Sequence, residues 1–365
     1  MTQSNHHEGR GRRADQPTDI PARGWKDILW RVYGDINQNR IMLTAAGVTF
    51  YLLLSLVPTL TAFVSLYGLF NDPASVLDQI AFLQGIVPSD VLSVLTDQLT
   101  RLTSEGGSTL GWTLVISLGI ALWSSSSGVK ALFEGMNIAY HEREDRNFFV
   151  LNATALIFTF CGAVAGVLVI AAVVVMPIIL SIFALGEGAE WLVRIGSYVA
   201  MLVVISLMIA ALYRWGPARE QAKWRWITPG TVLSTVALAV GSVGFSWYAA
   251  NFSDNNATYG SLGAVIGLMT WLWISVTLVL IGALLNAQIE HQTMRDTTTG
   301  ERVPLGSRGA YVADTVGGRD NKSDANADEV RPDRHRKRVS WGTLAFAAPA
   351  AAALLLLERK KPANK

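Results

Sequence analysis

Six long stretches of the chain contain no charged residue and are dominated by apolar side chains. Each has at least 19 residues, which is enough for a helix to cross a hydrocarbon core about 30 Å thick. Membrane β-barrel strands are excluded, because they are about ten residues long and alternate in character. The pattern predicts an all-α integral membrane protein, a six-span helical bundle. The predicted spans are residues 41–71, 106–129, 147–186, 195–213, 226–253 and 255–289.

Polar segments flank and connect these stretches. Residues 1–40 form a polar N-terminal segment. Residues 72–105 repeat apolar side chains at roughly helical spacing around Pro88, which predicts an amphipathic helical connection on the outer side. Residues 292–338 hold few apolar side chains, so a disordered tail is expected. A chain ending at residue 292 should therefore keep the bundle folded.

The C-terminal region adds a hydrophobic segment, residues 339–357. It lies between the basic block Arg334–Arg338 and a basic end, residues 358–365. The segment is long enough to span, but spanning would place the basic end outside, against the positive-inside rule. A seventh span and an interfacial or re-entrant segment both stay open. The basic block suits anionic lipid at the membrane surface.

Composition and charge agree with a membrane protein. Charged residues make up only 16% of the chain, and the mean hydropathy is +0.33. Basic residues precede the first span and recur in the connections 130–147 and 213–226, whereas 72–105 has only Arg101 among basic residues. The positive-inside rule therefore predicts a cytoplasmic N-terminus. The single Cys161 allows no intramolecular disulfide.

Polar residues share helix faces near the predicted inner ends of spans 2 and 6. Their spacings of three and four residues place them on one face of each helix, where ionisable groups are functional candidates. Glu134 and Asn286 are expected to face the bundle interior. The alternatives are a shared polar vestibule, interfacial side chains, or hydrogen bonds that only hold helices together. The candidates are Lys130, Glu134, Asn137, His141, Asn286 and Glu290.

Residues that interrupt helices also fall within the spans. Proline removes a backbone donor, so helix breaks are predicted there. The positions are Pro58, Pro177, Pro229 and Gly230. Two GxxxG pairs, Gly162–Gly166 and Gly263–Gly267, are typical of helix-packing surfaces.

Several short runs occur together in a characteristic order. They are 45–51 (AAGVTFY) with 55–58 (SLVP), 123–124 (WS) through 131–132 (AL) to Asn137, Pro229–Gly230, 259–262 (YGSL) and 282–286 (GALLN). With them the chain resembles the YihY/virulence factor BrkB family over about residues 25–292. The resemblance implies a bacterial cytoplasmic (inner) membrane protein. That family was once labelled ribonuclease BN, so the resemblance also implies this older label.

The residues do not favour that enzymatic label. The five histidines are scattered, and no metal-ligand pattern or phosphate loop is present. The segment 141–146 (HEREDR) is either a charge-paired helix end or a metal or nucleic-acid site. We expect a protein that is not an enzyme, uses no cofactor and binds no nucleic acid. Its expected partners are the bilayer and a lipid-like substrate, either a lipid or an envelope precursor. The alternatives are an envelope scaffold or assembly protein and, remotely, a membrane-associated ribonuclease.

Overall fold

A computed structural model of the chain describes residues 10–70, 110–170, 187–252 and 261–317. Contacts divide the chain into a compact unit, Met1–Gly317, and a second unit, Gly318–Lys365. The predicted outer connection, Pro177, the basic block and the C-terminal hydrophobic segment lie outside the described residues. Within them the structure is helical, with an isolated bridge between Ala222 and Thr298.

A long helix passes through each of the six hydrophobic stretches, because their side chains are apolar on all sides and suit a lipid environment. An additional helix precedes them, and a one-turn helix follows them. The helices are α1 Ala22–Gln38, α2 Ile41–Phe70, α3 Leu110–Ala139, α4 Phe148–Ile170, α5 Glu187–Trp215, α6 Trp224–Phe252, α7 Ser261–Glu290 and α8 Tyr311–Asp314.

Four of the described helices, α4 to α7, are long and apolar enough to cross a membrane. A fifth is added if α1 and the first half of α2, which meet at an angle of 60°, are taken as one bent span. The all-α membrane fold is therefore confirmed, while the count of six spans stays a prediction.

Helix α7 is the centre of the bundle and contacts α1, α2, α3 and α6. All residues of its last two and a half turns, 282–290, are buried. The main cluster of buried apolar residues lies around this end of α7 and includes Ile28, Tyr140, Trp226 and Leu284. Polar segments close the same end of the bundle. We call them the polar cap: residues 10–21, 140–147, 216–223 and 291–317.

The prediction of a disordered tail from residue 292 is wrong for residues 292–317. The Lys223 amide donates to the Thr297 carbonyl, and the Glu220 amide donates to the Gly309 carbonyl. Arg308 donates to the Met294 and Ala313 carbonyls. Composition did not predict that residues 292–317 are ordered, because hydrogen bonds to distant segments hold them in place rather than a run of apolar side chains.

The predicted breaks at Pro58 and at Pro229–Gly230 do not interrupt their helices. Helix α2 continues through Pro58, and α6 continues through Pro229 and Gly230. Pro229 is the sixth residue of α6, so it leaves only the Arg225 carbonyl, in the first turn, without its helical donor.

Candidate functional site

A groove of about 780 Å³ lies between α4 and α5 and extends to the polar cap. Its side walls are apolar and include Ile157, Phe158 and Met208. Ile157 and Cys161 are exposed, so the groove opens on the outside of the bundle. Its other end is polar. The charged and amide side chains that line this end are Asp145, Arg146, Arg214, Arg219, Glu220 and Gln221. The groove thus joins an apolar slot to a charged end.

Arg214 is the last basic residue of α5 and lines this charged end. Its guanidinium carbon lies 4.7 Å from the centre of the Trp224 ring and 5.7 Å from that of Trp215, and the group donates to the Ala222 carbonyl. Its Nε is buried and has no hydrogen-bond partner among the described residues. In that part of the chain no carboxylate forms an ion pair with Arg214, although Asp145 and Glu220 line the same end of the groove.

Arg146 is held by several acceptors. It donates to both carboxylate oxygens of Glu144, at 2.8 and 2.7 Å, and to the carbonyls of Trp215 and Gly216. Burial raises the pKa of the Glu144 carboxyl, but hydrogen bonds from Arg146 and Asn137 outweigh it and hold that pKa below its usual value. This geometry agrees with the charge-paired interpretation of residues 141–146. It fixes the loop to the end of α5 and leaves Arg146 neutralised.

Arg219 forms a buried ion pair with Glu290, the last residue of α7. Its Nη2 lies 2.7 Å from Glu290 Oε2, and the two side chains are only 2% and 0% exposed. The Thr297 hydroxyl donates to the same carboxylate oxygen at 2.9 Å. The Arg219 guanidinium also lies over the Tyr140 ring, at 5.1 Å. The pair therefore ties α7 to two segments of the polar cap.

Comparison with known proteins identifies the family of this chain. The model of the family described as virulence factor BrkB matches residues 32–304, about three quarters of the chain. The chain belongs to the virulence factor BrkB family. This confirms the resemblance inferred from the short runs. The match also extends past residue 292, so it includes part of the polar cap.

Two relatives illustrate this BrkB-family membership. The ribonuclease-like protein YfkH of Bacillus subtilis (strain 168) is 29% identical over 254 residues, which cover 67% of this chain and 88% of YfkH. A UPF0761 membrane protein of Xanthomonas axonopodis pv. citri (strain 306) is 26% identical over 312 residues, 84% of this chain and 70% of the relative. No solved structure matches the chain.

The candidate residues of this BrkB-family protein on α7 have well-defined partners. Asn286 is fully buried; its Oδ1 accepts from the Gly230 amide at 2.7 Å, and its Nδ2 donates to the Ile227 carbonyl at 3.1 Å. It faces the bundle interior as expected, where it binds α7 to α6. Glu290, four residues later, is fully used by the ion pair with Arg219.

The candidates on and after α3 do not converge. The Lys130 ammonium donates to Asn152 of α4 at 3.0 Å. Asn137 is buried and accepts from the Ala218 amide at 2.7 Å. Glu134 is exposed, so the expectation that it faces the interior is wrong. His141 is exposed, with its Nε2 3.6 Å from Asp35 Oδ2. Lys130, Asn137 and His141 take their partners from α4, the segment 216–223 and α1, and Glu134 is exposed, so the six candidates do not form one vestibule.

Residues that sequence reasoning passed over form the groove instead. Arg214 and Arg219 entered the prediction only as basic residues of the connection 213–226, and Arg146 only as part of the charged segment 141–146. Arg214 lies in the last turn of the apolar helix α5, next to Trp215. A basic residue beside a tryptophan at the end of an apolar helix is a local signal for a cation at a membrane interface. The buried pairing of Arg219 left no such signal, because Glu290 is 71 residues away in sequence. Within the described residues, no three His, Cys, Asp or Glu side chains are placed to hold a metal ion.

Proposed function

We propose that this BrkB-family membrane protein binds a phosphate-bearing amphiphile, a lipid or a lipid-linked envelope precursor, in the groove between α4 and α5, and moves it across or along the membrane. The observation that carries the proposal is an apolar slot, open on the outside of the bundle, that ends at Arg214, which has no ion-pair partner among the described residues. An acyl chain fits the slot, and a guanidinium is well suited to bind phosphate.

The two parts of the groove have different roles. A lipid tail gains little when it leaves the bilayer for an apolar slot, because the surrounding lipid is equally apolar. The slot therefore admits many chains, and selectivity must come from the headgroup. Arg146 and Arg219 are already neutralised by Glu144 and Glu290, which leaves Arg214 as the phosphate ligand. Two acidic residues, Asp145 and Glu220, also line this end, so a phosphate must contact the Arg214 guanidinium directly to offset their repulsion.

Phospholipid binding to the purified full chain tests this assignment. Native mass spectrometry with phosphatidylglycerol would compare the wild type with Arg214→Gln and with a matched control, Arg225→Gln. Arg225 is exposed and does not line the groove. Loss of a charge-assisted hydrogen bond costs about 1.5–3 kcal/mol, so Arg214→Gln should weaken binding at least about tenfold. Equal, small effects of both variants would mean that only general surface charge attracts lipid.

Movement of the lipid needs its own measurement. Proteoliposomes with a fluorescent phospholipid report transfer between leaflets when a membrane-impermeant reductant quenches the outer leaflet. We expect transfer that Arg214→Gln slows and Arg225→Gln does not. Binding without transfer would favour the alternative role, a scaffold or assembly protein that holds lipid.

We infer that the polar cap and the N-terminus lie on the cytoplasmic side of a bacterial inner membrane. The basic residues before α2 and in the segments 140–147 and 216–223 support this orientation. Cysteine labelling tests it. Arg219 is too buried to label, whereas Arg143 is exposed. In a Cys161→Ala background, Arg143→Cys should react with an impermeant maleimide only after the cells are permeabilised. Reaction in intact cells would reverse the topology.

We further propose that the protein is not an enzyme, although one relative bears a ribonuclease-like name. The charge-paired loop 141–146 and the scattered histidines support this proposal. Purified protein incubated with RNA and Mg²⁺ or Mn²⁺ should leave the RNA intact. Cleavage that His141→Ala abolishes would contradict the proposal and assign the loop to a nuclease site.

A further inference from the structure

Helix α1 has two opposite faces that are both apolar. One face packs into the protein: Gly24, Ile28 and Val32 are buried, and a Cβ at Gly24 would lie 2.6 Å from the Arg10 carbonyl oxygen. The other face is exposed and carries Leu29, Trp30 and Tyr33, of which Trp30 is 75% exposed. Large apolar side chains concentrated on an exposed helix face indicate an interaction surface.

The two acidic residues of α1 and two of its three basic residues lie on different faces of the helix. Asp27 pairs with Arg10 at 3.0 Å, and Asp35 accepts from the Gln288 side chain at 2.6 Å, so both carboxylates are engaged by the protein. Arg23 and Lys26 are instead exposed, and helical spacing places them on the face of Trp30 and Tyr33. That face is therefore apolar and basic, which complements a surface of anionic headgroups over an apolar interior.

The position of α1 in the fold fits the same partner. Arg40, with φ of 50°, lies in the short break between α1 and α2, where the chain bends by 60°. If α2 has the average span tilt of about 20°, this bend puts α1 at roughly 40–80° from the bilayer normal, a range that reaches nearly to the membrane plane. Met42 and Leu43 open α2 with exposed apolar side chains. The exposed face of α1 thus continues into the lipid-facing surface of α2.

We propose that α1 is an in-plane membrane helix. Leu29, Trp30 and Tyr33 are seated in the headgroup region of the leaflet adjoining the polar cap, and Arg23 and Lys26 contact lipid phosphates. Tryptophan and tyrosine are the side chains enriched at this depth. The opposite face of α1 anchors it to α7, because Arg31 donates to the Gln288 and Gln292 side-chain oxygens, both at 2.7 Å. The helix therefore connects the polar cap to the lipid surface, independently of the groove.

Spin-label accessibility in proteoliposomes containing phosphatidylglycerol tests this proposal. Trp30→Cys and Tyr33→Cys are labelled in a Cys161→Ala background, and the relative accessibilities to oxygen and to a nickel chelate report depth. The controls are Val240→Cys, an exposed position within α6, and Leu305→Cys, an exposed position of the polar cap. If either α1 variant fails to fold, Leu29→Cys replaces it.

The labels at positions 30 and 33 should show depths between those of the two controls. Chelate accessibility equal to that at position 305 would place the face in water and overturn the proposal. A depth equal to that at position 240 would also overturn it, by making α1 part of a bent span. A label shielded from both reagents would show that a protein, such as a second copy of the chain, covers the face instead.

Discussion

Glu290 illustrates how strongly a single buried charge depends on its partners. Its carboxylate is fully buried and accepts from Arg219 and Thr297. Removing one member of a buried ion pair costs about 3–5 kcal/mol, because the other charge is left uncompensated. Glu290→Ala should therefore lower the unfolding temperature in detergent far more than Asp27→Ala, which breaks the partly exposed pair with Arg10. An exposed pair contributes at most about 1 kcal/mol.

A second variant, Glu290→Gln, tests the same ion pair if the Glu290→Ala protein does not accumulate. Glu290→Gln keeps the size of the side chain and one acceptor for Thr297, so it should fold with an intermediate loss of stability. Similar unfolding temperatures for Asp27→Ala and both Glu290 variants would show that the pair contributes little.

His291 predicts a dependence of stability on pH. Burial, Arg31, His141 and Arg12 lower the pKa of its imidazole from 6.5 to about 4, although Asp35 opposes them. The unfolded chain binds a proton near pH 6.5 and the folded chain does not, so stability falls as pH drops from 6.5 towards 4. The full effect is up to about 3 kcal/mol. His291→Gln should flatten the fall in unfolding temperature across this window, and an unchanged pH profile would contradict the assignment.

Residue positions in the site were predictable only in part. The cost of exposing an unpaired amide to lipid correctly predicted that Asn286 lies inside the bundle. Helical spacing placed Lys130, Glu134 and Asn137 on one face of α3, but it carries no information about which helix covers each turn. The actual partners lie on α4 for Lys130 and in the polar cap for Asn137. Spacing along a single helix was therefore not enough to predict a vestibule, which side chains from several helices would have to form.

At the scale of elements, the crossing of α6 and α7 depends on two glycines. A Cβ at Gly230 would overlap the Gly282 carbonyl oxygen, and a Cβ at Gly282 would overlap the Ser234 hydroxyl. Because the obstacle at Gly230 is backbone, Gly230→Ala should separate the helices and cost about 1–3 kcal/mol. Gly244→Ala, on the same helix, meets nothing within 4 Å and should change stability by less than about 1 kcal/mol. Equal unfolding temperatures for the two variants would contradict close packing at Gly230.

Long helices were the most predictable elements, because a segment in lipid must be apolar on every side over its whole length. Contacts between helices were less predictable. In the GxxxG pair of α4, a Cβ at Gly162 or Gly166 meets nothing within 4 Å, whereas Gly230 and Gly282, 52 residues apart, form the close crossing. Helix α1 was missed because its apolar residues are few and spaced among charged ones. Such a pattern looks like a polar segment when only runs are counted.

At the scale of the whole molecule, the N-terminal segment and residues 291–317 fold together. The Met294 amide donates to the Arg12 carbonyl, and the Thr293 hydroxyl donates to the Ala14 carbonyl, across about 280 residues of sequence. No local property of either segment encodes these bonds. The hydrophobic runs thus predicted the bundle, while predicting the polar cap required knowledge of how residues 10–21 meet residues 291–317.

Two truncated chains test where the folded unit ends on its C-terminal side. A chain ending after Gly317 keeps the whole compact unit, so it should unfold in detergent within a few degrees of the full chain. A chain ending at residue 292 loses Thr297, which donates to Glu290, and the acceptors that the Lys223 and Glu220 amides use. These groups would become unpaired at the buried end of α7, at about 1–3 kcal/mol for each that stays buried. The shorter chain should therefore lose thermal stability and monodispersity. Equal stability of the two truncated chains would show that residues 293–317 cover the bundle without stabilising it.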